Sequence, residues 1–320
     1  MQSLEEITAD FNTHLNAFSL SGKVLELYSP ANYLWSLGGK RIRPLLTLLA
    51  YQLFSNEEPV HAYQAATAIE LFHNFTLMHD DIMDASPLRR GKPTTHVVYG
   101  THAAILSGDL MLIKVYELLS AYPKSQRFKM IKLMTQTAIK VCEGQQLDIN
   151  FESKEIVSET DYLQMIKYKT AVLLGASLKM GGIAAGAGKE ACKKLYSIGV
   201  RAGISFQLID DYLDVYSNQS GKQKGGDIIQ KKKTLLFIHA MNQANKMDRT
   251  ELQKLYQGND PDKVSLVTTR FDQNKSSEYV LSLAKQYSDQ AFEDLDGIDC
   301  NSKSKAILRE LITDLLKRKS

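Results

Sequence analysis

Two five-residue stretches carry the same acidic spacing: Asp80-Asp81-Ile82-Met83-Asp84 and Asp210-Asp211-Tyr212-Leu213-Asp214. On a helix, positions four apart share a face. Asp80 therefore stacks with Asp84 and Asp210 with Asp214, while the middle carboxylate sits about 100° round, close enough to help chelate. Apolar residues flank both motifs, Leu77-Met78 before one and Leu208-Ile209 before the other. Carboxylates on largely buried helices need compensating cations. For either motif alone, a solvated acidic helix face is the plain alternative. Six converging carboxylates would repel unless hard cations sat between them. An oxygen-only donor set favours Mg²⁺, held by a few carboxylates, water and substrate phosphates. No His/Cys cluster in the sequence competes for a softer metal.

The cations that would meet such phosphates are also clustered. Gly38-Gly39-Lys40-Arg41-Ile42-Arg43-Pro44 sets three cations after a glycine turn, and Arg89-Arg90-Gly91-Lys92-Pro93 begins five residues after Asp84. Lys169-Thr170 lies mid-chain, and Gly221-Lys222 and Lys231-Lys232-Lys233 follow the second acidic motif. Arginine suits bidentate phosphate recognition, and lysine acts as a point charge. Each cluster alone reads equally as solvated surface. Together with two acidic motifs they indicate two diphosphate sites, one bridged to carboxylates through Mg²⁺ and one held by cations directly.

These residues need helices to position them. Tyr63–Met83 has apolar residues at helical spacing over a length that suits a largely buried helix, and Asp161–Met180, Ala191–Tyr216 and Ser277–Leu295 read the same way. Ser158 is placed to cap the second of these, with Asp161 completing a capping-box pattern. Pro30, Pro59, Pro123 and Pro261 each precede a stretch of helical period. No segment alternates strictly between turn signals, so no sheet is expected. With 320 residues, 44% of them hydrophobic, and no low-complexity linker, a single helical domain over residues 1–320 is expected. His73 lies seven residues before Asp80, two turns away on the same face, and Gln145 and Asp148 are three apart on another. A core histidine and a polar helix surface are their plain alternatives.

A formal charge of +3 gives no reason to expect nucleic acid. Cys142, Cys192 and Cys300 are odd in number and form no CxxC, which fits a reducing compartment. The opening MQSLEEITADF is acidic and lacks an apolar core, so no leader is expected there, and the run near Leu45–Leu53 is too short to cross a bilayer. A cytoplasmic protein is expected.

The ordered series GGKRIRP, ELFHNFTLMHDDIMD, RRGKPTTH, GQQLD, KT, FQLIDDYLD and GKQKGGD…KKT, from Gly38 to Thr234, resembles the trans-isoprenyl diphosphate synthases of the polyprenyl synthetase family. The resemblance implies an all-α, single-domain helical bundle around a central deep active-site cavity, and a homodimer. It implies that Asp80, Asp81, Asp84, Asp210 and Asp211 hold Mg²⁺ against an allylic diphosphate, with Asp214 completing the second motif. Arg89, Lys169 and Lys232 would hold the allylic diphosphate, and Lys40, Arg43, His73 and Arg90 would hold isopentenyl diphosphate. Gln207, Thr170 and Gln145 would lie near the reacting carbons, and Lys222 would close over them.

The implied reaction joins the two diphosphates. The allylic C–O bond breaks, the isopentenyl double bond attacks the cation, and a proton is lost, with the departed diphosphate as base. Oriented dipoles on Thr170, Gln145 and Gln207 would stabilise the developing charge. Phe75 and Thr76, five and four residues before Asp80, correspond to the family's chain-length positions. An aromatic at the fifth with a small residue at the fourth resembles a geranylgeranyl (C20) synthase. On an ideal helix Phe75 points about 140° from Asp80, while Thr76 stacks nearly beneath it, so Phe75 is equally readable as core. A farnesyl (C15) synthase, a terpene cyclase and a non-catalytic partner subunit are the alternatives. The repeated DDxxD and the full set of cations disfavour the last two.

Overall fold

The structure is a computed structural model, described here over residues 3–57, 60–217 and 224–316. It is helical almost throughout, as expected. Helices α1 (Leu4–Ala17), α2 (Leu25–Ser36), α3 (Ile42–Gln52) and α4 (Val60–Met83) lead to a two-residue hairpin, β1 (Leu88–Arg89) and β2 (Lys92–Pro93). Then come α5 (Thr95–Tyr99), α6 (Thr101–Ser120), α7 (Lys124–Ser153), α8 (Glu159–Ile166), a π-helical segment (Lys167–Ala171), α9 (Val172–Ala184) and α10 (Lys189–Tyr216). A short α11 (Gly226–Ile229) precedes α12 (Leu235–Gln243), α13 (Lys246–Gln257), α14 (Lys263–Gln273), α15 (Ser276–Asp296) and α16 (Ser302–Leu316). Among the described residues no helix is long and apolar enough to cross a membrane.

Three expectations change. The stretch Asp161–Met180 is not one α-helix, because the π segment interrupts it. The loop after Asp84 carries the small hairpin, with Leu88 opposite Pro93 and Arg89 opposite Lys92. Pro30 lies inside α2 rather than ahead of it. Its ring removes one backbone donor but leaves the first turn intact. Ser158 does cap α8, its hydroxyl accepting from the Asp161 N–H at 3.1 Å.

The contacts divide the chain into two compact units. The first comprises residues up to 135, 176–195 and 300–308. Its centre is α4, which packs on α3 and α6. Ala65, Ala66 and Ala68 let those neighbours approach, and Ile69, Leu71 and Phe72 fill the space, all fully buried. The second comprises 136–175, 196–299 and 309 onward. Its core gathers Tyr162 and Ile166 of α8, Ile204 and Leu208 of α10, Leu236 and Ile238 of α12, Tyr256 of α13, and Phe271 of α14. Each unit holds one acidic motif on a helix whose opposite side is anchored in that core.

Candidate active site

In the first unit, the end of α4 carries Asp80, Asp81 and Asp84. Asp81 is buried (1% exposed), Asp80 is half-buried and Asp84 is exposed. Both Asp81 oxygens are taken by Arg89, with Nε at 2.9 and 2.8 Å and Nη2 at 2.7 Å. The hairpin makes this possible. Arg90 (φ 54°) and Gly91 (φ 75°) occupy its two-residue turn, where both central positions need positive φ. That turn aims Arg89 back at α4 and Arg90 at the glycine loop, where Arg90 Nη1 donates to the Gly38 carbonyl. Gly39 there has φ 140°, a conformation that favours glycine, and a Cβ on it would lie 2.8 Å from Arg90 Nη2.

His73 sits one face along α4. Its Nε2 lies 3.1 Å from Arg43 Nη1. A guanidinium only donates, so Nε2 accepts and Nδ1 carries the proton. Burial pushes the imidazole pKa well down, and the charges of Arg43, Arg90, Arg89 and Arg41 push it further, so His73 is neutral. Of these four arginines, Arg41 is matched by buried Glu70 at 2.5 Å and Arg89 by Asp81. Lys40 is exposed just ahead of α3. The structure thus gathers Arg43, His73 and Arg90 into a cationic site with Lys40 at its approach. The sequence reading missed that Arg41 is a structural ion pair, because Glu70 is 29 residues away.

In the second unit, Asp211 is buried (6% exposed), while Asp210 and Asp214 are half-buried. Asp211 Oδ2 accepts from the Tyr162 hydroxyl and Oδ1 from Gln207 Nε2 at 2.8 Å. Thr170 Oγ1 then donates to Gln207 Oε1 at 3.0 Å. This chain fixes the Gln207 amide, its nitrogen toward Asp211 and its oxygen toward Thr170. Burial, then Asp227, pushes the Asp211 pKa up to about 8, and burial, then Asp214, pushes Asp227 up to about 6. Such crowded acid is what a bound cation relieves. Asp214 Oδ2 accepts the Asp227 N–H at 2.9 Å, so this carboxylate also anchors α11. The charge of Lys232 lowers Asp227, and its carbonyl accepts from the Tyr256 hydroxyl. Lys222 lies outside the described residues.

Lys169 and Thr170 lie in the π segment, closed by the Val172 N–H donating to the Lys167 carbonyl. Lys169 Nζ reaches Asp148 Oδ2 of α7 at 2.5 Å. Gln145, one turn earlier on α7, is buried (7% exposed), yet neither its Oε1 nor its Nε2 has a hydrogen-bond partner among the described residues. A buried amide left open in this way awaits a ligand or water. Phe75 is half-buried, its ring edge-on to His79 at 4.8 Å, and Thr76 Oγ1 donates to the His73 carbonyl at 2.8 Å. Asp148 and Asp227 stand in the motifs GQQLD and GKQKGGD without an assigned role, and Tyr162 was not among the expected site residues. Tyr162 is 49 positions from Asp211, and no local pattern marks it.

Among the described residues no group of three or more His, Cys, Asp or Glu side chains could by itself hold a metal ion. Within each unit the donor chemistry fits Mg²⁺, with Asp80 and Asp84 of the first and Asp210 and Asp214 of the second short of full burial, because this ion takes water and substrate phosphate for its remaining ligands.

Residues 24–273 match the polyprenyl synthetase family. A geranylgeranyl diphosphate synthase of Saccharolobus solfataricus is 37% identical over 307 residues, covering 93% of this chain and 92% of that protein. One from Methanosarcina mazei is 38% identical over 285 residues, 87% of this chain and 86% of its own. A crystal structure of a geranylgeranyl pyrophosphate synthase matches with a TM-score of 0.95 at 37% identity, covering 100% of both chains. On the motifs, the fold and this similarity across the whole chain, the protein belongs to the polyprenyl synthetase family.

Proposed function

We propose that this prenyltransferase condenses isopentenyl diphosphate with an allylic diphosphate, in a Mg²⁺-dependent reaction whose main product is geranylgeranyl diphosphate (C20). One observation carries the reading most directly: guanidinium groups converge on a neutral His73, beside a helix end bearing Asp80 and Asp84. That is a site for a diphosphate next to a site for a diphosphate-bound cation. The C20 assignment is supported by Phe75 and Thr76 and by the geranylgeranyl synthases among the relatives.

Arg43, Arg90 and Lys40 hold the isopentenyl diphosphate, with the His73 Nδ1–H as a further donor. Arg89, Lys169 and Lys232 hold the allylic diphosphate. Asp80, Asp84 and Asp210, less buried than the middle acid of each motif, would hold Mg²⁺. Asp81 and Asp211 belong to the same motifs, but their oxygens are occupied by Arg89, Tyr162 and Gln207, so they orient these groups and add charge. Bound Mg²⁺ would neutralise the departing diphosphate as a Lewis acid. Gln207 Oε1 has a second lone pair beyond the one used by Thr170, and with Gln145 it presents negative dipole to the developing allylic cation. The departed diphosphate takes the proton.

The family match over residues 24–273 supports reading residues 1–320 as a single polyprenyl synthetase domain. The chain acts as a homodimer, with the exposed apolar residues Ile105, Leu106 and Ile113 of α6 as the contact face. None of its cysteines is in a disulfide, which suits the cytoplasm.

The test is the purified chain alone with Mg²⁺, labelled isopentenyl diphosphate and each allylic primer in turn. A C20 alcohol after dephosphorylation, lost on chelation, is expected. Full turnover in excess chelator would sink the metal role, and a C15 or C25 main product the chain length. Light scattering gives the oligomer.

A further inference from the structure

Helix α7 starts against its own dipole. Lys124, Arg127, Lys129 and Lys132 fall in its opening turns, and no Asp or Glu occurs between Pro123 and Cys142. A helix N-terminus favours anions and disfavours cations. All four side chains are exposed. None takes part in the ion pairs found among the described residues. Arg127 Nη1 donates to the Ser120 carbonyl at 3.2 Å. The rest of the molecule does not share this bias, since the whole chain carries a formal charge of only +3.

Phe128 stands in the middle of these cations and is 69% exposed. With Ile131 it lines an open groove of about 870 Å³ whose other walls are Lys124, Ser125, Arg127 and Lys129. The same unit adds positive charge beside it. Burial pushes the Cys192 thiol of α10 up, and Lys179 of α9 and Lys129 of α7 are both near enough to oppose that shift. Gln126 Nε2 donates to the Ala184 carbonyl at 2.9 Å, tying the start of α7 to the end of α9. Lys189 and Lys193 follow at the start of α10, with Glu190 opposing Lys193 at 2.8 Å.

We propose that this face, with Phe128 at its centre and Lys124, Arg127, Lys129 and Lys132 around it, docks the enzyme on an anionic lipid surface. The complementarity is twofold. Lipid phosphates supply the negative charge that the α7 N-terminus lacks, and the acyl boundary receives the Phe128 ring while the long basic side chains reach up to the headgroups. Each cation near an anionic leaflet strengthens binding roughly fivefold, so four give several hundredfold, reversible and sensitive to salt. A second copy of the same face would bring like charges together. The inference does not depend on which prenyl diphosphate is made.

The experiment is co-sedimentation of the full chain with vesicles of phosphatidylcholine alone or mixed with phosphatidylglycerol. Wild type should bind only the anionic vesicles and be released when the screening length falls to about 3 Å in molar salt. The combined variant Lys124→Gln, Arg127→Gln, Lys129→Gln, Lys132→Gln should bind at least about a hundredfold more weakly. Its turnover with soluble substrates should be unchanged, which shows that it has folded. Phe128→Ser should weaken binding while leaving the salt dependence in place. Equal binding to neutral vesicles, or an unaffected quadruple variant, overturns the proposal. So does preference for an RNA competitor over the vesicles, or a change of oligomeric mass in the variants, since either would assign the face to another partner.

Discussion

Gly144 of α7 is where a single methyl group should separate stability from catalysis. A Cβ there would lie 2.2 Å from the Lys169 backbone nitrogen, 2.7 Å from Lys169 Cα and 2.7 Å from the Tyr168 carbonyl carbon. All three are backbone atoms of the π segment, so no side chain can swing aside. Comfortable contact needs about 3.5 Å, so Gly144→Ala must separate α7 from the π segment by roughly 1 Å. Overpacking of this kind costs about 1–3 kcal/mol of stability. The shift opens the 2.5 Å Lys169–Asp148 contact and draws Thr170 off Gln207, now at 3.0 Å. Misplacement by about 1 Å costs on the order of 10²-fold in rate, or about 2.7 kcal/mol of barrier. The expected result is a folded, helical protein by circular dichroism with kcat down about a hundredfold. KM for isopentenyl diphosphate should change little, because Lys40, Arg43, His73 and Arg90 belong to the other compact unit. Gly188→Ala is the control, since nothing lies within 4 Å of its added Cβ. A Gly144→Ala enzyme with kcat within about threefold of wild type would refute the argument that the π segment must be held at this distance.

Tyr162→Phe removes one of the two donors on Asp211, and the Mg²⁺ concentration for half-maximal activity should rise about 10–100-fold, as outer-shell deletions do. An unchanged Mg²⁺ titration would make Tyr162 plain core. Arg90→Ala should raise KM for isopentenyl diphosphate above that for the allylic substrate, and Arg89→Ala the reverse. Arg89→Ala should also lower the unfolding midpoint, because it strands the buried Asp81 carboxylate at a cost of about 3–5 kcal/mol. His73 is held neutral in the fold but protonates in the unfolded chain. Its contribution to stability is therefore full above about pH 6.5 and is lost below it at up to about 1.4 kcal/mol per pH unit. Urea unfolding of metal-free protein at pH 7, 6 and 5 should show that loss, and His73→Asn should flatten it; equal slopes in both would place the titration elsewhere. If Phe75 floors the product cavity, Phe75→Ala should lengthen the main product beyond C20 and Thr76→Phe should shorten it towards C15. An unchanged distribution in both would move the stop to another helix.

What could be read from the sequence follows the range of the interaction. Helix α4, the two acidic motifs and the capping of α8 by Ser158 rest on neighbours within about four positions, and periodicity exposes them. The π segment does not, because Gly144 sits 25 residues before Lys169 and only the folded backbone brings them together. The hairpin at Arg90-Gly91 also escaped the sequence, because two-residue strands are too short for alternation to register. The same limit governs the aspartates. Spacing gives Asp80, Asp81 and Asp84 equal standing, and likewise Asp210, Asp211 and Asp214. Burial separates them, since the middle acid of each motif turns inward to donors from distant parts of the chain, Arg89 for one and Tyr162 and Gln207 for the other. A carboxylate whose two oxygens both accept protein hydrogen bonds has its direction fixed before any ion arrives, and it holds its neighbours on the helix in register with it. The repeated DDxxD is therefore two kinds of residue in one motif: outer acids nearer the surface, and an inner acid that ties the helix to the arginine or amide acting beside it.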